Sequence, residues 1–142
     1  FKDSVSFIEE TGEFTASLVS DHLKEKMNAS SINAPRGTSE FEYAGLTVAH
    51  SKLIAAPYVK EAYAALECVA VEIRRLHDKE GRPTDNYMVI GEVVGVHIDE
   101  SVLTDGLFDI GKAKPVTRLG YMDYATTEDV YQMFRPKWED KV

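Results

Sequence analysis

Lys2-Asp3-Ser4 stands where the chain enters its first helical pattern, and these residue types suit the binding of an anion. Free N–H groups at a helix start carry a partial positive charge. Lys2 adds a full charge and Ser4 a hydroxyl donor, a combination that fits a phosphate. Asp3 reads as the N-cap, its carboxylate turned to backbone N–H groups. The plain alternative is an ordinary cap with a lysine nearby. Arg118-Leu119-Gly120-Tyr121-Met122-Asp123-Tyr124 is a second candidate. Its guanidinium, its flexible Gly120 and the rings of Tyr121 and Tyr124 suit stacking on a planar ligand, and equally suit packing. Glu92 is a third. Counted by twos, Met88, Ile90, Glu92, Val94, Val96 and Ile98 share one strand face. A carboxylate among apolar neighbours needs a partner, for which Arg74 or Arg75 is placed. His22, His50, His77 and His97 show no i,i+4 pair and no zinc spacing with Cys68, and read as surface or loop-end residues. Cys68 sits in an apolar run and reads as packing. No phosphate-binding glycine loop, calcium loop or nucleophile elbow appears in the sequence.

The elements that must position these residues follow from period and punctuation. Val5, Phe7 and Ile8 form an apolar stripe after Asp3, and Gly12 fits a helix stop. Over Glu13–Val19 the period changes to two, with Phe14, Ala16 and Leu18 on one side: a half-buried strand. Ser20 is expected to cap a helix over Asp21–Asn28. Ala29–Glu40, rich in Ser, Asn, Pro and Gly, reads as a surface loop; Phe41-Glu42-Tyr43-Ala44-Gly45-Leu46 follows, and then a stretch to Tyr63 with Pro57 that reads as irregular or edge-strand. Ala65–Leu76 and Asn86–Ile98 carry apolar residues on both faces around a polar loop, which predicts a long antiparallel hairpin. Gly91 and Gly95 inside its second strand signal a bend, a bulge or a close backbone approach. Beyond Asp99 the chain is loop-rich, with turns at Asp105-Gly106 and Ile110-Gly111. A short strand is expected within Pro115–Tyr124, and a last short helix from Thr126 or Thr127 through Met133.

With 142 residues, a single domain over 1–142 is the natural reading. Hydrophobic residues make up 44% of the chain, enough for a core and too many for disorder. The net charge of −8 repels phosphate backbones, so neither nucleic acid nor an anionic membrane is an expected partner. The longest apolar run, Met88–Ile98, falls short of a membrane span. One cysteine and no signal-peptide pattern point to a reducing cytoplasm. Phe1 opens the chain at the entrance of a helix, which reads as a chain cut within a domain.

The same segments carry a resemblance. Lys2-Asp3-Ser4 with Ile8-Glu9-Glu10-Thr11-Gly12-Glu13-Phe14, Met27-Asn28-Ala29-Ser30-Ser31, Glu40-Phe41-Glu42-Tyr43-Ala44-Gly45-Leu46-Thr47, Ala65-Leu66-Glu67-Cys68, Met88-Val89-Ile90-Gly91-Glu92-Val93-Val94 and Arg118–Tyr124 run in order over nearly the whole chain. Together they resemble the flavin reductase-like proteins. The resemblance implies a mainly β fold with peripheral helices, the FMN-binding split β-barrel of Greek-key type, here without its first strands. It implies a homodimer that holds FMN, or in some members FAD, and passes a hydride from NADH or NADPH to the flavin. It further implies that Lys2, Asp3 and Ser4 contribute to the flavin phosphate site, with Arg118, Gly120, Tyr121 and Tyr124 near the flavin or nicotinamide ring. Many relatives that reduce flavin rapidly carry Gly-Asp-His where this chain has Thr84-Asp85-Asn86. A non-enzymatic FMN-binding electron carrier, or a barrel fragment without flavin, is therefore the competing reading. Lys2→Ala is expected to weaken FMN binding by about 1.5–3 kcal/mol, the worth of one charge-assisted hydrogen bond. A fluorescence titration giving unchanged FMN affinity would remove Lys2 from the site.

Overall fold

Gly12, at φ +71°, makes the first corner of the molecule. Its N–H donates to the Ile8 carbonyl at 2.8 Å, closing helix α1 (Asp3–Thr11). Its own carbonyl accepts from Ala70 N–H at 2.8 Å, so the chain passes from helix directly into sheet. The computed structural model describes residues 3–138. After α1 come β1 (Glu13–Ser17), a 3₁₀ turn (Asp21–Leu23) that runs into α2 (Lys24–Ser30), α3 (Glu40–Ala44), β2 (Val48–Ala49) and β3 (Tyr58–Val59). The hairpin β4 (Ala64–His77) and β5 (Pro83–Ile98) follows. A 3₁₀ turn (Glu100–Val102) then leads to β6 (Leu103–Thr104), β7 (Leu107–Phe108), α4 (Ile110–Ala113), β8 (Val116–Arg118) and β9 (Tyr124–Thr126). The fold is mainly β with helices at its periphery, as expected.

The main sheet is antiparallel, in the order β1-β4-β5, and β2-β3, β6-β7 and β8-β9 are two-stranded ribbons. The register of the long hairpin shifts between Glu67 and Cys68 and again between Ala70 and Glu72. Such bulges bend and twist a ladder that would otherwise run straight. Both strand glycines are close approaches. A Cβ on Gly91 would stand 2.5 Å from Phe14 Cζ and 3.3 Å from Cys68 Cβ, and one on Gly95 would stand 3.1 Å from Glu67 Cδ. Cys68 is buried beneath this contact, and burial pushes its thiol pKa up, in keeping with a packing role.

Several expectations are corrected here. Glu92 is exposed, along with Met88, Ile90, Val94, Val96 and Ile98 on the same side of β5, while Tyr87, Val89, Gly91, Gly95 and His97 are the half-buried set. The apolar face is thus the open one, and Glu92 needs no internal partner. Arg74 pairs with Glu72 at 2.5 Å and Arg75 with Asp85 at 3.2 Å instead. The Ser20 side chain does not cap the second helix: the residue is fully buried and its Oγ has no hydrogen-bond partner. Phe41–Ala44 is helical, because Ser39 Oγ accepts from Glu42 N–H at 3.3 Å and Gly45 takes the left-handed conformation that ends the turn. The expected helix through Met133 is absent. Thr126 belongs to β9 and residues 127–137 have no regular structure, since Tyr131, Met133 and Phe134 find no surface to pack on and stay at least 79% exposed. Asp3, moreover, lies within α1 and not ahead of it. Among the described residues, no helix is long and apolar enough to cross a membrane.

Because Phe14 and Cys68 fill the space above it, Gly91→Ala is expected to destabilise the protein by about 1–3 kcal/mol through overpacking. Adding Phe14→Leu should recover part of that loss, and denaturant unfolding of the single and double variants measures both.

Candidate functional site

Two cavities border the candidate residues. The first is small, about 120 Å³, and lies at the start of α1 among Asp3, Ser4, Phe7, Pro35, Arg36 and Thr38. The Ala29–Ser39 segment closes it. Arg36 Nη2 donates to Glu10 Oε1 at 2.6 Å, its Nη1 to Ser6 Oγ at 3.3 Å, and its guanidinium lies 5.0 Å from the centre of the Phe7 ring. These contacts tie the loop to the flank of the helix and hold the Glu10 carboxyl below its ordinary pKa. First-turn N–H groups lack intrahelical partners, so this cavity has donors of the kind a phosphate needs. Lys2 lies outside the described residues.

The second cavity, about 360 Å³, lies between α2 and the β8-β9 ribbon, with Lys24, Met27, Asn28, Met122 and Tyr124 in its wall. Asp21 joins the two elements. Its carboxylate accepts from Thr126 Oγ1 at 2.9 Å and from Lys24 Nζ at 2.9 Å, and both bonds lower its pKa. The ribbon's turn uses Tyr121 at φ +56°, and Tyr121 is 94% exposed. Arg118 is engaged within the turn itself: Nη1 donates to Tyr124 Oη at 2.5 Å, Nη2 to the Tyr121 carbonyl at 2.6 Å, and the guanidinium stacks 4.8 Å from the Tyr124 ring centre. Gly120 has open space around it. Of the four residues singled out in this segment, Tyr124 lines the cavity, and Arg118 holds its ring. No lining residue is common to the two cavities, so within one chain Asp3 and Ser4 are not brought together with Tyr121 and Tyr124.

The most strongly perturbed group was not among the candidates. Glu67 is 1% exposed and aims its carboxylate at the backbone of the segment before β3. Lys52 N–H donates to Oε1 and Leu53 N–H to Oε2, each at 2.8 Å, and His97 Nε2 approaches Oε1 at 2.5 Å. These bonds outweigh burial and hold the Glu67 pKa down at about 2, with the Lys52 N–H the largest cause. An ionised carboxylate only accepts, so the imidazole donates from Nε2. His97 stacks on Tyr58 with 4.3 Å between ring centres. It is neither a surface residue nor a loop end, which corrects the reading for His97, while His22, His50 and His77 are exposed as expected. A signal for the pair existed in the sequence: Glu67 interrupts Ala65-Leu66-Glu67-Cys68-Val69, and the observed pairings Ala65↔His97 and Glu67↔Gly95 set Glu67 diagonal to His97.

Comparison with known proteins fits this geometry. The flavin reductase like domain matches residues 2–117. The uncharacterized protein BH2278 of Halalkalibacterium halodurans is 33% identical over 135 residues, covering 95% of this chain and 64% of its own length. Among solved structures, nitrilotriacetate monooxygenase component B from Bacillus cereus superposes with a TM-score of 0.85 at 31% identity, over 94% of this chain and 65% of that one. Flavoredoxin of Desulfovibrio vulgaris (Miyazaki F) gives 0.74 at 27% identity, over 96% and 69%. This chain therefore spans about two thirds of the length of the proteins it matches.

Glu67 generates a pH prediction. Its folded pKa lies below its ordinary 4.5, so the stability it contributes is complete above that value and is lost as pH falls toward 2. Glu67→Gln is expected to lower the denaturant midpoint at pH 7 and to flatten the fall in stability between pH 4.5 and 2. Equal slopes for wild type and variant over that window would show that the carboxylate charge does not stabilise the fold.

Proposed function

The chain belongs to the flavin reductase-like domain family, and on that premise we propose that the protein is an FMN-binding flavoprotein that takes a hydride from NADH or NADPH. The observation that carries this reading is the family match through residues 2–117, which includes the start of α1. The residues present fit the cofactor's two ends. First-turn N–H groups, the Ser4 hydroxyl and Lys2 would anchor the phosphate, while the second cavity offers Met27, Met122 and the Tyr124 ring to a flat ring system, with Lys24, Asn28 and Thr126 as polar partners at its edge. When bound, flavin supplies the hydride-accepting chemistry. The chain's own part is positioning. Arg118 fixes the Tyr124 ring by a hydrogen bond and a stacked guanidinium, and the Asp21–Thr126 bond keeps the ribbon against α2. Such pre-set contacts lower the entropic cost of aligning two flat rings.

A homodimer would bring the separate cavities of two chains into reach of one another, and the open face of β4 and β5, with Val71 67% and Val96 58% exposed, supports such an association. The second reading, an electron carrier without nicotinamide turnover, is favoured by Thr84-Asp85-Asn86 at the head of β5. There Asp85 is paired to Arg75 and no histidine stands.

Purified full-length protein is expected to show the visible absorbance of oxidised flavin and to bleach when NADH or NADPH is added anaerobically. Flavin that stays oxidised with both nucleotides would establish the carrier, and a protein that neither copurifies with FMN nor binds it would overturn both readings.

A further inference from the structure

A third cavity, about 310 Å³, opens on the other side of the Glu67–His97 pair, lined by Lys52, Tyr58, Lys60, His97 and Asp99. It shares no lining residue with the two cavities assigned to flavin. Its wall is built and not incidental. His97 is held from three directions: Nε2 on Glu67, the ring face on Tyr58, and the backbone in register with Ala65 on β4. Its side chain is 16% exposed, and Nδ1 makes no hydrogen bond among the described residues. The ring is thus fixed with one nitrogen left open.

Charge at this place runs against the rest of the molecule. The chain carries −8 overall, yet the Lys52 and Lys60 side chains enter no ion pair or hydrogen bond among the described residues. Lys24, Lys26 and Lys112, by contrast, are each tied to a carboxylate or a carbonyl oxygen. The groups facing His97 are Glu67 from β4, Lys52 from the segment before β3, Tyr58 and Lys60 from β3 and its end, and Asp99 after β5. Of the two carboxylates, Glu67 already accepts from two backbone N–H groups and His97, and Asp99 Oδ1 accepts from Ser101 N–H at 2.8 Å. Two lysines whose side chains enter no ion pair or hydrogen bond among the described residues, and an imidazole held in place, therefore line one small cavity.

We propose that this cavity binds the oxyanion of a small organic acid or phosphate ester, at a site separate from the flavin. Lys52 and Lys60 supply the charge, and the His97 ring, held by Glu67 and Tyr58, shapes the wall beside them. Glu67 is a positioning residue here: it touches the imidazole and orients it, as a buried carboxylate fixes which nitrogen of a histidine faces a ligand.

The test titrates purified full-length protein with inorganic phosphate and, separately, with acetate, following the His97 ring resonances by NMR. A saturable shift is expected. In the double variant Lys52→Gln/Lys60→Gln the affinity should fall roughly tenfold or more, as loss of charge-assisted contacts implies, with an unchanged thermal midpoint. Response to phosphate alone assigns a phosphate ester; response to both assigns any oxyanion of that size. No saturable shift with either anion, or equal affinity in the double variant, overturns the proposal. Repeating the phosphate titration with FMN present separates this inference from the flavin assignment. An unchanged curve keeps the two sites distinct, whereas competition by FMN would make this cavity the flavin anchor and overturn a separate site.

Discussion

A single carboxylate organises the middle of this molecule. Glu67 lies in the otherwise apolar first half of β4, and burying an ionised group there is tolerable only because three donors converge on it. Two of those donors are consecutive backbone N–H groups, so the bond set pins the Lys52-Leu53 segment to the sheet. The third is His97, which thereby acquires a fixed orientation. Gly95 belongs to the same device: the Glu67 side chain occupies the space that a Cβ would need. Strand, loop, glycine and histidine are thus held together by one charge and its acceptor capacity.

The features proposed to hold flavin are arranged around that centre and not within it. The loop beside α1 is tied down by Arg36 on Glu10 and Ser6, and the β8-β9 ribbon by the hydrogen bond from Thr126 to Asp21. The Arg36–Glu10 pair is exposed to water and screened, so neither tie rests on a strong ion pair. Their effect is geometric: each fixes a loop against a helix. A family whose chemistry resides in its cofactor needs this kind of positioning more than it needs a protein acid or base. The observed chain, with its perturbed carboxylates satisfied by internal donors, accords with that division of labour.

Much of the secondary structure was legible. The stripe Val5-Phe7-Ile8 ending at Gly12, the alternation from Glu13, and the hairpin between Ala64 and Ile98 all appear where period and turn residues place them. What was missed was short or conditional. Glu40–Ala44 is barely more than one turn and exists because Ser39 and Gly45 close its two ends, a signal spread over three residues. The segment after Thr126 has helical spacing, but spacing stabilises a helix only when its apolar side meets a surface, and Tyr131, Met133 and Phe134 meet none. Of the candidate site, the helix entrance and the Tyr124 ribbon were readable as chemistry-bearing residue types, while their membership of separate cavities was not.

By itself the sequence determined the order of the longer elements, the family, and which residues had the chemical character to hold a phosphate or a ring, because those properties are local or repeat along the chain. Only the tertiary structure decided which carboxylate is buried. Counting by twos points to Glu92, but the exposed side of β5 is the one that Glu92 shares with Ile90 and Val94, and the buried glutamate is Glu67 across the ladder. The physical reason is that a strand's period says which residues share a face and not which face is covered. Covering is set by bulges, by the partner strand's register and by a loop from residues 52 and 53, all of which are contacts between positions distant along the chain.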